Sequence, residues 1–138
     1  MTVLIQEKIP PRLQKRFGLI KNAVLGAGYE LDINFVSPRE SQKVNDSYRA
    51  KDKPTNILSF PFDPKSGQIV ICPYIAKKEA SVLGLTPANY IQYLFIHGLL
   101  HLKGFDHGST MEQKEQEYCG KFKLKLGNLW QPEQSQPA

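Results

Sequence analysis

The stretch from Thr86 to about Lys103 constrains the fold most. Ile91, Leu94, Phe95, Ile96, Leu99, Leu100 and Leu102 make it apolar nearly all round, and Thr86-Pro87 is a helix start. A helix without a polar face is buried, so the rest of the chain has to cover it. Its one semi-polar stripe is Tyr90, Tyr93, His97 and His101. The 138 residues are 41% hydrophobic and 22% charged, ordinary values for one globular domain. Such a chain buries roughly two-thirds of its unfolded surface and needs no disulfide. Cys72 and Cys119 form no CxxC pair and read as reduced thiols.

The remaining periodicities supply the cover. Val3 to Ile5 reads as a strand. Leu13, Phe17, Ile20 and Val24 fall at helical spacing, with Gly28 as the closing residue. Leu31, Ile33 and Phe35 alternate with polar residues, as a half-buried strand does. Ser37-Pro38-Arg39-Glu40 is a capping box opening a polar helix to about Tyr48. Strands at Asn56–Phe62 and Gln68–Cys72 flank the turn residues Asp63–Gly67 and form a hairpin. Pro73–Leu83 is a helix ended by Gly84. Ser109–Glu112 is a second capping box, opening a last helix to about Leu126. The order β-α-β-α-β-β-α-α-α predicts an α+β fold. A small mixed four-stranded sheet is packed by about five helices, and the buried one carries two histidines. Residues 1–130 are expected to be a single domain, and 131–138 (QPEQSQPA) a polar tail. No apolar run reaches the ~18–20 residues of a membrane span, and the N-terminus lacks signal-peptide character. A cytoplasmic location without membrane partners follows as the expectation.

All three histidines fall in one window, His97-Gly-Leu-Leu-His101-Leu-Lys-Gly104-Phe-Asp106-His107. His97 and His101 are i and i+4, so their rings leave one helix face a turn apart. Gly104 permits a positive φ that ends the helix, and three residues reach roughly 10 Å. His107 can therefore join the pair. Three neutral imidazoles with an open fourth position suit zinc, one ion per chain. The spacing is that of metzincin proteases, which carry Glu directly after the first histidine as general base. Here that residue is Gly98, which disfavours a peptidase.

The window resembles the signature of the YbeY-type bacterial rRNA maturation factors. So does Tyr48-Arg49-Ala50-Lys51-Asp52-Lys53-Pro54-Thr55-Asn56-Ile57-Leu58-Ser59-Phe60-Pro61, and more weakly Gly67-Gln68-Ile69-Val70-Ile71-Cys72. The resemblance spans about residues 30–125. Gln68 stands where the family usually has Asp, and Phe105 where Tyr is common. The resemblance implies a zinc-dependent endoribonuclease acting on single strands. Its implied roles are ribosomal RNA processing, with 16S rRNA 3′-end maturation, and ribosome quality control, so ribosomal RNA and small-subunit or other ribosomal components are its implied partners. By the same resemblance His97, His101 and His107 are the metal ligands, and Arg49 is the functional arginine.

The residues allow that chemistry. Zinc activates water without a carboxylate base, which makes Gly98 tolerable. Arg49 offers a planar fork for two phosphate oxygens. Lys51 and Lys53 alternate with it if the segment is extended, and so can follow an RNA backbone; a solvated loop is the plainer reading. Asp106 either bonds the free nitrogen of a histidine or caps the turn after Gly104. Tyr90 and Tyr93 either pack in the core, wall a cleft or stack a base. Eighteen Lys and Arg against 13 Asp and Glu give a formal charge of +5, which is compatible with a polyanionic partner. The alternatives are a metallopeptidase lacking its usual base, and a ribosome-associated RNA-binding factor whose zinc is structural. Cys119 is the extra soft ligand available to that last reading.

Overall fold

Alternation in the second strand builds the core. Leu31, Ile33 and Phe35 are fully buried on one face of β2 (Glu30–Phe35), while Asp32 and Asn34 turn the other way. The computed structural model describes residues 1–5 and 9–130. β1 (Thr2–Ile5) pairs in parallel with β2, β2 pairs in parallel with β4 (Ser66–Ile71), and β3 (Ile57–Asp63) forms the antiparallel hairpin with β4. The sheet order is β1-β2-β4-β3, which leaves β3 as an edge. This is the expected α+β fold. The expected tail at 131–138 lies outside the described residues.

α1 (Pro11–Leu25) and α4 (Pro87–Leu102) cover one face of the sheet. Phe17 of α1 lies between Phe35 and Phe95, with ring centroids 5.6 and 4.4 Å away. α3 (Pro73–Leu83) and α5 (Ser109–Lys121) flank α4, and β3 and β4 lie beneath it. That surround is why α4 needs apolar residues on nearly every side. α2 (Pro38–Arg49) lies on the opposite face. There Val44 packs against a small cluster of Val36, Leu58, Val70 and Cys72.

Several boundaries differ from the sequence expectation. α1 closes at Gly26, whose φ of +92° suits glycine, rather than at Gly28. Ser37 does cap α2, accepting from the Glu40 N–H at 3.2 Å. That helix runs on through Arg49 and stops where Ala50 turns left-handed (φ +55°). The second expected capping box does not form. Gly108, at φ +153°, is the N-cap of α5, so Ser109 already belongs to the first turn. α5 ends at Lys121 rather than near Leu126, and Lys123 turns left-handed at φ +58°.

Candidate metal centre

Two local features bring the histidines together. Helical spacing puts His97 and His101 on one face of α4, and Gly104 (φ +107°) turns the chain back so that His107 meets them. One donor nitrogen from each ring lies within 4.8 Å of the others. The Nε2 atoms of His97 and His101 are 3.1 Å apart.

The outer nitrogens explain this orientation. His101 Nδ1 faces the Phe105 carbonyl at 3.0 Å, and His97 Nδ1 faces Glu115 Oε2 at 2.5 Å. A carbonyl and a carboxylate only accept, so each Nδ1 carries the proton and each Nε2 presents a lone pair. Two lone pairs 3.1 Å apart repel unless a cation sits between them. Burial, and after it the neighbouring His97, push the His101 pKa below the usual imidazole value, which favours the neutral ligand form. The residues present therefore fit a divalent metal with nitrogen ligands. Among the described residues no other group of His, Cys, Asp or Glu converges in this way.

The cluster forms one wall of a cleft of about 450 Å³. Arg49, Thr55, Asn56, Ser59, Tyr90 and Tyr93 form much of the rest. Arg49 thus reaches the histidine site from the end of α2, on the opposite face of the sheet. A smaller hollow of about 250 Å³ meets His97 and His107 from the other side, between Tyr93, Glu112 and Trp130.

The other candidates are placed as follows. Lys51 and Lys53 are exposed and do not line the cleft. Because Arg49 is helical, the alternating extended run expected for the three does not exist. Asp106 is exposed, and the outer nitrogens of His97 and His101 are held by Glu115 and Phe105 rather than by it. Tyr90 and Tyr93 both pack and wall the cleft. Their rings stack at 5.9 Å along the cleft wall, and the buried Tyr90 donates its hydroxyl to Glu79 at 2.9 Å. Cys119 is buried on α5 outside the cluster, and burial followed by the Glu115 charge pushes its thiol up to about 12. Its place outside the cluster, rather than its protonation, keeps it from the metal site.

Sequence reasoning missed Glu115. The available signal is its place four residues after Met111 and four before Cys119, a carboxylate in the buried stripe of α5.

These features define a class: an α+β protein whose buried helix offers an open three-imidazole site to a cleft with an arginine wall. The family described as Endoribonuclease YbeY matches residues 6–123. The chain belongs to the YbeY family. Endoribonuclease YbeY of Francisella philomiragia is 39% identical over 116 residues, covering 76% of this chain and 73% of that protein. That of Chromohalobacter salexigens is 42% identical over 96 residues, covering 64% of this chain and 62% of the relative's length. The solution structure of a Thermotoga maritima protein superposes with a TM-score of 0.67 at 25% identity, covering 89% of this chain and 92% of that one.

Proposed function

We propose that this chain is a zinc-dependent endoribonuclease that cleaves single-stranded segments of ribosomal RNA in the cytoplasm, during 16S rRNA 3′-end maturation and ribosome quality control. The observation that carries the reading is the histidine cluster facing Arg49 across one cleft. Relatives named endoribonucleases support it. Among the described residues no helix is long and apolar enough to cross a membrane. Residues 1–130 act as one catalytic domain, with 131–138 outside it.

The roles follow from chemistry. His97, His101 and His107 hold one Zn²⁺ per chain. When bound, the metal supplies Lewis acidity and lowers the pKa of its water to about 7. Arg49 donates two parallel N–H groups to phosphate oxygens and offsets charge that develops on phosphorus. Lys51 and Lys53 attract the RNA backbone beyond the cleft, an attraction that weakens as the salt concentration rises. Tyr93 walls the cleft and offers a ring face to a base.

The test is incubation of metal-loaded protein with ribosomal RNA and with casein, beside a chelated control. Internal cleavage of RNA, intact casein and an inert chelated sample are expected. Casein cleavage would identify a peptidase. RNA bound but left intact would identify a binding factor with structural zinc.

A further inference from the structure

Glu115 is out of keeping with the helix that carries it. It is only 5% exposed, and the buried positions four residues before and after it hold Met111 and Cys119. Among the described residues no Lys or Arg pairs with it. A carboxylate buried without a cation costs stability, so packing alone favours an apolar side chain here. Its two oxygens instead serve two rings. Oε2 lies 2.5 Å from His97 Nδ1, and Oε1 accepts the indole N–H of Trp130 at 3.1 Å.

We infer that Glu115, itself held by Trp130, is the positioning residue that sets His97 as a metal ligand. The inference rests on the reading that the histidine cluster holds a metal. A carboxylate fixes the proton on Nδ1, orients the ring and makes Nε2 more basic. His101 has a weaker version of the same device, a neutral carbonyl from Phe105. The ligands are therefore unequal. His101 is oriented within its own helix end, whereas His97 is oriented by a contact 18 residues away in sequence and, through Trp130, by the segment after α5. The orientation of His97 is therefore coupled to the docking of that segment.

The full chain is stripped of metal and titrated with zinc against a chromogenic chelator of known affinity. Trp130 is the only tryptophan, so its emission reports the same event independently. Glu115→Gln is expected to weaken zinc binding by about tenfold or more and Glu115→Ala by up to about 100-fold, while Glu115→Asp recovers part of the loss. Trp130→Phe keeps a ring but loses the N–H donor, and weakens zinc binding less. Metal-free Glu115→Gln should melt at or above the wild-type temperature, because a buried charge has gone; a purely structural role predicts the reverse. Nitrogen NMR of the metal-free wild type should show His97 protonated at Nδ1. That measurement can overturn the inference even if the variants do not fold, because an Nε2-protonated ring excludes it. Wild-type zinc affinity in both Glu115→Gln and Glu115→Ala also overturns it. A wild-type chain that takes up no zinc would instead overturn the metal site itself.

Discussion

Gly98 and Ser59 clamp α4 to the edge strand of the sheet. The Ser59 hydroxyl donates to the Gly98 carbonyl at 3.1 Å, and a Cβ on Gly98 would stand 2.9 Å from Ser59 Oγ and 2.8 Å from Ile57 Cδ1. The residue after the first histidine therefore faces strand β3, not the cleft. No carboxylate base can occupy that position, whatever the likeness in histidine spacing to zinc proteases.

Gly98→Ala should cost about 1 kcal/mol, because overpacking outweighs the gain in helix propensity. Gly98→Glu should not fold stably. Urea denaturation measures the first effect. A folded Gly98→Glu protein that cleaves casein would contradict the account of this contact.

Arg49→Ala should lower turnover at saturating RNA by about 10²–10³, with zinc content unchanged. Arg49 is exposed at the last turn of α2, so the stability loss should stay within the ~0.3–1 kcal/mol of a cation at a helix C-terminus. Arg49→Lys should restore only part of the rate, since an ammonium keeps the charge without the fork. If turnover recovers fully at saturating RNA, Arg49 contributes affinity alone.

Cys119→Ser should leave metal content unchanged, because the thiol lies outside the cluster. Stability should fall by about 1–3 kcal/mol through burial of a hydroxyl. Loss of zinc on chelator titration would revive the closed structural site.

His101 gives the pH dependence its sign. Its folded pKa is depressed, chiefly by burial, so the folded chain resists protonation that the unfolded chain accepts. Stability of the metal-free protein should hold above the unfolded histidine value of about 6.5 and decline as pH falls below it. Metal retention should decline over the same acid range, because the ligands must be neutral. Melting curves and zinc retention recorded from pH 8 to about 4 read both effects.

What was legible in the sequence was local. His97, His101, Gly104 and His107 lie within eleven residues, so helix geometry and one turn suffice to gather them. The burial of α4 and the β3–β4 hairpin were likewise written in period and spacing, whereas the place of β4 beside β2 was not. Glu115 was not legible, since its partner lies 18 residues away and only the packing of α5 on α4 joins them. Arg49 was placed in the right neighbourhood but the wrong conformation. Nothing local announces that Ala50, a residue with a Cβ, turns left-handed and so lets the helix run through Arg49. The end of α5 was misjudged for a similar reason, because Lys123 adopts positive φ without a glycine to mark it.

The central claim is that the three histidines hold the metal on which RNA cleavage depends. It is tested most directly by titrating zinc into chelator-stripped protein while following cleavage of a single-stranded ribosomal RNA segment. The account predicts no cleavage without metal, activity that rises to a plateau at one zinc per chain, and no recovery in the His97→Ala, His101→Ala or His107→Ala proteins. Full cleavage by the stripped protein, or a wild-type plateau in the histidine variants, would contradict it.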